Sequence, residues 1–179
     1  MKFYISDLHF GHENIIRLCH RPFSGVEQMD ETLIENWNKV VKPDDEVYVL
    51  GDIVFRSSKK PTEYFERLNG KKYLVKGNHD KVDKSWKPYF EWIKEYAEIY
   101  DNDRKIILSH YPMVEWNGYF KGTTHLFGHI HNNVQNQAFK VMVNVKNAYN
   151  VGVEILDYTP RTLDDVIKCN EGIKEDYLK

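Results

Sequence analysis

Two histidines separated by one residue, His129 and His131, follow Gly128 at the end of an apolar run. In a continuous strand, side chains two residues apart point to the same face. A strand that ends at Gly128 and turns can instead aim the two rings differently, into one pocket. Because imidazole is a common metal ligand, the pair raises the question of whether matching ligands lie elsewhere in the chain.

Other residues of metal-ligand type also follow short apolar, strand-like runs: Asp7, His9, Asp52, Asn78, His79, Asp80 and His110. The carboxyl ends of strands in open α/β sheets converge on the binding crevice, so these side chains are expected to meet. Mixed imidazole and carboxylate ligands suit Zn, Mn, Fe or Ni. Seven candidates are too many for one tetrahedral ion: Asp7, His9, Asp52, Asn78, His110, His129 and His131. Two ions sharing one carboxylate accommodate them, an arrangement suited to phosphoryl displacement.

The first half of the chain alternates between strand and helix patterns. Residues 2–6, 46–52 and 71–80 predict strands. Residues 24–43 predict a helix with a capping box of Ser24 and Glu27, and residues 61–70 predict a shorter helix with Pro61 near its start. This alternation predicts βαβ units around a parallel sheet.

The second half has a different pattern. Residues 91–100 and 104–112 predict two antiparallel strands around a turn, and residues 124–131 predict another strand. A further strand pair is predicted at 140–145 and 149–156, and a helix capped by Thr162 follows. The predicted fold class is α/β, with two packed mixed β-sheets flanked by helices in a single domain over residues 1–179.

Composition limits the classes of function. The net charge of -2 implies no strong general attraction to nucleic acid or anionic membranes. The two cysteines, Cys19 and Cys169, show no CxxC spacing and are expected to be reduced thiols. No apolar stretch approaches the roughly 18 residues that span a membrane, and the initial strand-like run is too short for a signal peptide. We expect a soluble, cytoplasmic protein without membrane contact.

Five blocks in order, SDLH, LGD, KGNHD, LSHYP and FGHIH, resemble the signature blocks of the calcineurin-like metallophosphoesterases. The resemblance spans residues 5–131 and is closest in style to a small bacterial or phage-type branch. It implies one metal ion bound by Asp7, His9 and His131 and a second bound by Asn78, His110 and His129, with Asp52 bridging both. The implied cofactors are two divalent ions, with Mn preferred and Fe, Zn or Ni as alternatives.

The resemblance also implies a reaction: hydroxide bridging the two ions attacks the phosphorus of a small phosphodiester, with nucleotides among the candidates. His79 resembles the family's catalytic histidine, which protonates the leaving oxygen. Arg56 has the spacing of a phosphate-binding arginine, with an exposed loop arginine as the alternative, and His12 is a candidate phosphate contact. Phe55 stands where one branch has an aspartate that orients the histidine, so either another acid such as Asp80 is expected to orient His79, or His79 is less well held.

Several residues have two interpretations. His20, Arg17 and Arg21 form either a substrate patch or a solvated loop, the latter being favoured. The aromatic residues Trp116, Tyr119 and Phe120 either line a nucleobase pocket or pack over the core, and packing is favoured. His125, inside a predicted strand, is expected to be structural.

Three rival functions remain. A phosphomonoesterase would use the same site, and a non-catalytic scaffold would keep the fold without turnover. A nuclease acting on polymeric nucleic acid is disfavoured by the net charge and the short chain. The expected partner is a small phosphoester substrate, and the sequence does not determine its identity or the oligomeric state.

Overall fold

The computed structural model describes residues 1–178. Its first half contains four strands and three helices: β1 (Lys2–Ile5), α1 (Glu13–Leu18), α2 (Val26–Val40), β2 (Glu46–Val49), α3 (Pro61–Phe65), β3 (Lys71–Val75) and β4 (Trp92–Lys94). The strands form one sheet in the order β1-β2-β3-β4, and every neighbouring pair is parallel. The parallel sheet predicted from the alternating pattern is therefore confirmed.

The second half forms the other sheet and two further helices: β5 (Tyr96–Asp101), β6 (Arg104–Ser109), β7 (Thr124–Phe127), α4 (Gln137–Met142), β8 (Ala148–Asn150) and α5 (Leu163–Leu178). The order is β5-β6-β7-β8, with β5 antiparallel to β6 and the other pairs parallel. The α/β fold of two four-stranded sheets flanked by helices agrees with the predicted class. None of the helices within residues 1–178 has the length and apolar character needed to cross a membrane.

The two sheets pack face to face through one cluster of buried side chains. Tyr4, Leu50 and Val75 from the first sheet meet Ile106 and Leu126 from the second sheet in this cluster. Phe3 and Ile5 flank Tyr4 in β1 and face the opposite side of the sheet, because side chains alternate along a strand. On that side they pack with α2. In the second sheet, Ile107 and Phe127 likewise face a separate cluster that includes residues of α4. The central strands of both sheets are thus buried on both faces, which explains their apolar sequences.

Two predictions about the elements are wrong in detail. Residues 91–100 do not form one strand, because β4 pairs with β3 in the first sheet and the chain crosses to the second sheet at Glu95. Residues 140–145 are not a strand: most of them belong to α4 or its end. The Asn136 side chain caps α4 by accepting a hydrogen bond from the Ala138 N–H at 2.8 Å. Phe139, Met142 and Val143 are buried at helical spacing, a pattern that alternating Val and Met residues obscured.

Two local features also differ from the prediction. Of the predicted strand 149–156, residues 149 and 150 belong to β8, which pairs in parallel with β7, and Gly152 forms an isolated bridge with Ser6. The helix α2 begins after Gly25, so the expected capping box of Ser24 and Glu27 does not form. Ser24 instead hydrogen-bonds through its N–H and its hydroxyl to the Gln28 side-chain oxygen.

Candidate metal centre

The residues of metal-ligand type meet at the carboxyl edge of the two sheets, as the strand-end pattern predicted. Asp7 and His9 follow β1, Asp52 follows β2, and Asn78 follows β3. From the second sheet, His110 follows β6, while His129 and His131 follow β7. Parallel strands end at the same edge of a sheet. Residues from distant segments can therefore meet directly after their strands, without long loops.

Asp7, His9 and His131 form the first group of donor atoms. One atom from each side chain lies within 4.8 Å of the others. Asp7 is fully buried and His9 is 2% exposed. Asp7 Oδ2 accepts hydrogen bonds from the Ser6 hydroxyl at 2.7 Å and the His129 N–H at 2.9 Å. Its other oxygen, Oδ1, and His9 Nε2 have no hydrogen-bond partner although both are buried.

A second group lies beside the first and draws on the other sheet. Donor atoms of Asp7, Asp52 and His110 lie within 4.8 Å of one another. Asn78 Oδ1 lies 3.0 Å from His110 Nε2, and the His129 ring centre lies 5.1 Å from that of His110. His110 Nδ1 lies 2.7 Å from the Leu50 carbonyl. Because a carbonyl only accepts, Nδ1 donates a hydrogen bond to Leu50. Nε2 faces two oxygen acceptors, Asn78 Oδ1 and Asp52 Oδ2, around a position that a cation would fill.

Asp52 stands between the two groups. Its Oδ2 lies 3.6 Å from His9 Nε2 and 3.5 Å from His110 Nε2. Its Oδ1 accepts a hydrogen bond from the His79 backbone N–H at 2.8 Å, which fixes the carboxylate orientation. One carboxylate oxygen is therefore almost equidistant from histidines of both groups.

The backbone at these residues is in an unusual conformation. Five of the candidate ligands have positive φ angles: Asp7 at 58°, His9 at 52°, Asp52 at 53°, His129 at 70° and His131 at 50°. Non-glycine residues rarely adopt this left-handed region, and each such residue costs on the order of 1 kcal/mol or more. Strain of this kind clusters at functional sites, so its concentration here supports a functional role for this edge.

Glycines before the ligand residues allow the strand ends to approach closely. A Cβ on Gly128 would lie 1.9 Å from Ser6 Oγ and 2.6 Å from Asp7 Oδ2. A Cβ on Gly77 would lie 2.3 Å from Asp52 Oδ1. Any side chain at either position would displace a candidate ligand, which explains the glycine in both the KGN and FGH blocks.

The ionisation of the first group fits a bound cation. Burial raises the pKa of Asp7, and burial, followed by the charge of His131, lowers the pKa of His9 well below its usual value. His9 is therefore neutral, with a free lone pair on Nε2. Leaving such buried polar atoms unpaired costs about 1–3 kcal/mol each. A divalent cation would satisfy both Asp7 Oδ1 and His9 Nε2 and would favour the charged carboxylate.

Comparison with known proteins decides the family. The sequence profile of the family described as calcineurin-like phosphoesterase matches residues 3–105 of this chain, which is more than half of it. The chain belongs to the calcineurin-like phosphoesterase family. This family is metal-dependent and its members hydrolyse phosphoesters, and this chain contains groups of residues able to hold metal ions.

Relatives extend the similarity beyond residue 105. The uncharacterised protein MJ1445 of Methanocaldococcus jannaschii is 39% identical over 171 residues, covering 94% of this chain and 90% of the relative. The Gene 66 protein of Mycobacterium phage L5 is 30% identical over 131 residues, covering 62% and 63%. The crystal structure of AQ665 from Aquifex aeolicus, a protein of unknown function, has a TM-score of 0.74 and 35% identity, and covers 94% and 98%.

Behind the first group of this phosphoesterase lies an ion pair that the sequence analysis missed. The Arg21 side chain donates to Glu154 Oε1 from Nε at 3.0 Å and from Nη2 at 2.8 Å. It also donates to the Leu8 and Asp7 carbonyls at 2.9 and 2.7 Å. Arg21 is buried, so the favoured interpretation of this segment as a solvated loop is wrong for this residue. A charged Glu154 inside the apolar run 149–156 was the available signal.

Glu154 connects this ion pair to the candidate ligands. Its Oε1 lies 3.1 Å from His131 Nδ1, so Nδ1 donates to it, and His131 Nε2 faces Asp7 Oδ1 at 3.9 Å. Burial opposes charge on Glu154, but the His131 hydrogen bond and Arg21 outweigh it and lower the pKa of Glu154 to about 2. Cys19, a free thiol, also lies near His131 and Glu154, but the adjacent Arg21 charge disfavours a cation there.

His79 lies at the open side of the centre of this phosphoesterase. Its side chain is 37% exposed, and its Nε2 lies 4.0 Å from Asp52 Oδ2. The Phe55 ring packs against the His79 ring with centroids 4.0 Å apart. Asp80 does not orient His79, contrary to the expectation. Its carboxylate accepts hydrogen bonds from the backbone N–H groups of Asp52, Gly77 and Ile53 at 2.8–3.0 Å and so joins the ends of β2 and β3.

The other two candidate catalytic residues flank Phe55. His12 is nearly buried behind His9, with 3.3 Å between their Nδ1 atoms, and burial lowers its pKa to about 4. Arg56 is exposed, with its guanidinium 5.1 Å from the Phe55 ring centre and a positive φ of 52°. A phosphate contact by either residue stays a prediction.

In the aromatic loop between β6 and β7, the favoured packing interpretation holds for Trp116 and Tyr119 and is wrong for Phe120. Trp116 is buried, and its Nε1–H donates to the Thr123 carbonyl at 2.9 Å. Tyr119 packs against Trp116, whereas Phe120 is 85% exposed. His125 is structural as expected, because its ring is fully buried and its Nε2 accepts a hydrogen bond from the Met113 N–H at 3.1 Å.

Proposed function

We propose that the protein hydrolyses a small phosphodiester with two divalent metal ions. The position of Asp52 carries this proposal, because its Oδ2 lies within 3.6 Å of a histidine nitrogen from each group. The unpartnered buried atoms Asp7 Oδ1 and His9 Nε2 support it. Buried polar atoms normally have hydrogen-bond partners. Unpartnered oxygen and nitrogen atoms beside the Asp52 carboxylate therefore suit a bound cation.

Three residues would hold each ion: Asp7, His9 and His131 for the first and Asn78, His110 and His129 for the second, with Asp52 shared. When bound, two such ions lower the pKa of a water molecule and stabilise charge on the phosphoryl oxygens. Nitrogen and oxygen donors of this kind suit Mn, Fe, Zn or Ni. We propose Mn as the working metal.

His79 is the proposed general acid. Its ring reaches the open side of the centre, where a substrate enters, and its Nε2 lies 4.0 Å from Asp52 Oδ2. In the reaction, a water oxygen bonds to phosphorus and the bond from phosphorus to the leaving oxygen breaks. His79 Nε2 gives its proton to that oxygen, and the proton that the water loses passes through solvent and replaces the one on His79 Nε2. Phe55 holds the ring by packing, in the position where the sequence analysis sought an acid.

The first experiment measures hydrolysis of bis(p-nitrophenyl) phosphate by metal-stripped protein with and without added Mn²⁺. We expect turnover only with Mn²⁺, and slower turnover of the monoester p-nitrophenyl phosphate. Faster monoester turnover would favour the phosphomonoesterase alternative. Absence of turnover on both esters with Mn²⁺, Fe²⁺, Zn²⁺ and Ni²⁺ would overturn the proposal and favour a scaffold.

A His79→Gln variant tests the general acid. We expect kcat to fall on the order of 10²-fold or more, with little change in metal content, because His79 is not a proposed ligand. The matched control is His20→Gln, which replaces an exposed histidine that is not one of the proposed ligands. Equal kcat for wild type and His79→Gln would contradict the assigned role.

A further inference from the structure

A cavity of about 310 Å³ opens beside His79, outside the candidate ligands. Its cationic lining comes from Arg56, Lys59 and Lys81, and its apolar lining includes Phe55 and Trp86. Within residues 1–178, no carboxylate lines this cavity. It therefore concentrates positive charge on one side of the centre, although the whole chain carries a net charge of -2.

The three cations are available to a ligand. In the described part of the chain, none of them forms an ion pair. Lys59 lies within electrostatic range of Asp30 and Glu31. These acids already have partners, since the Tyr64 hydroxyl donates to Asp30 and Arg67 pairs with Glu31. Unpaired cations gathered in one concave surface are the charge pattern that attracts an anion.

The loop that carries Arg56 is held in place. Phe55 N–H donates to the Phe10 carbonyl at 3.2 Å, and Val54 pairs with Phe10. Ser57 packs so tightly on Gly11 that a Cβ there would lie 2.2 Å from Ser57 Cβ, and Ser57 Oγ lies 2.8 Å from the Tyr64 hydroxyl. The cavity wall is thus pre-organised, which reduces the entropy cost of binding.

His79 connects the cavity to the proposed reaction, because it lines the cavity and is the proposed general acid. The inference rests on the proposed function, in which His79 protonates the leaving oxygen. Because the His79 ring lines this cavity and packs on Phe55, the leaving alcohol lies on the cavity side. We propose that the cavity is a leaving-group subsite selecting a leaving alcohol that carries a further phosphate group. Arg56 offers a planar pair of donors, and Lys59 and Lys81 offer point charges, to that phosphate.

The test compares dithymidine monophosphate with its two derivatives that carry a terminal phosphate on the 5′ or the 3′ end. Whichever nucleoside leaves, one derivative places the phosphate on the leaving alcohol. We expect its kcat/KM to exceed that of the unphosphorylated dinucleotide by about tenfold or more, as expected for hydrogen bonds to a charged group. The advantage should shrink as ionic strength rises.

Lys59→Gln and Lys81→Gln variants, made singly and together, locate the effect. The measured quantity is the ratio of kcat/KM for the favoured phosphorylated dinucleotide to kcat/KM for the unphosphorylated one. We expect this ratio to be close to one in the double variant. Lys84→Gln is the matched control, because Lys84 is an exposed lysine three residues from Lys81 that does not line the cavity. Circular dichroism spectra of all variants should coincide, since the replaced lysines lie at the surface.

The outcomes separate this inference from the proposed function. Turnover of bis(p-nitrophenyl) phosphate together with a ratio near one in the wild type would overturn the subsite while leaving the phosphodiesterase intact. A high ratio that survives in the double variant would also overturn it, because the selectivity would arise elsewhere. Loss of all turnover with every metal would instead overturn the proposed function itself.

Discussion

The two halves of the candidate centre are held differently. The first half, Asp7, His9 and His131, is nearly enclosed and is supported by the buried Arg21–Glu154 pair. The second half, Asn78, His110 and His129, contains an exposed asparagine and a half-buried histidine. His110 alone in the second half is anchored by a backbone carbonyl.

The halves also differ in charge. Asp7 is a member of the first half, whereas the second half consists of two imidazoles and an amide and takes its negative charge from the adjacent carboxylates, Asp52 above all. A pre-organised, charged set of donors binds a divalent cation more tightly than a neutral, exposed set. The difference leads us to expect two unequal metal affinities, with the second ion leaving first when a chelator is added.

Removal of the shared residue should have the largest effect, because it acts on both halves. We expect Asp52→Ala to lower phosphodiester hydrolysis on the order of 10³-fold or more and to reduce the metal content measured by mass spectrometry. Asp44→Ala, at an exposed aspartate remote from the centre, should behave as wild type. Full activity in Asp52→Ala would contradict the shared role of Asp52, since neither half would then need a bridging carboxylate.

His125 lies in β7, before the candidate ligands His129 and His131. Its titration distinguishes a structural histidine from the candidate ligands of the two halves. Burial lowers the pKa of His125 from 6.5 to about 4, so between these values the unfolded chain binds a proton that the folded chain excludes. The free energy of unfolding should therefore fall as pH drops from about 6.5 towards 4, by about 3 kcal/mol.

Urea unfolding of metal-free protein at pH 7 and pH 4.5 measures this effect. We expect His125→Gln to lose less of its unfolding free energy over this interval than the wild type, because glutamine does not titrate. The same pH dependence in both proteins would assign the effect to other groups.

Glu154→Gln should weaken the first half selectively. The amide can still accept a hydrogen bond from His131 Nδ1, but it cannot neutralise Arg21 or raise the basicity of the ligand. We expect the tighter metal affinity, measured by titration calorimetry, to fall roughly tenfold to a hundredfold. Glu171→Gln at an exposed glutamate is the control. A change only in the weaker affinity would reverse our assignment of the halves.

Asn78→Ala should have the smallest effect and should act only on the second half. We expect the weaker metal affinity to fall by about tenfold or less, because Asn78 is a neutral, exposed donor. The tighter affinity should be unchanged, as should both affinities in Asn14→Ala, a substitution on the surface of α1. Loss of the tighter ion in Asn78→Ala would show that the halves do not bind independently.

The sequence by itself determined three of the four parallel strands of the first sheet, the helices α2 and α3 beside them, and the strand ends where the polar residues gather. Hydrophobic periodicity and turn residues are local signals, and parallel strands bring their carboxyl ends together wherever the chain lies between them. The same signals failed at residues 140–145, where Val and Met alternate in a short run that suits either a strand or a buried helix. They also failed at Glu95, because no local pattern marks a crossing between sheets.

Only the tertiary structure decided how the centre is supported. Arg21 and Glu154 are 133 residues apart in sequence, and their pairing depends on the packing of a loop after α1 against the segment after β8. Asp80 likewise satisfies three backbone N–H groups from two strands, and Phe55 occupies the place beside His79. Such long-range contacts have no periodic signature, since burial and geometry rather than spacing determine which distant polar groups meet.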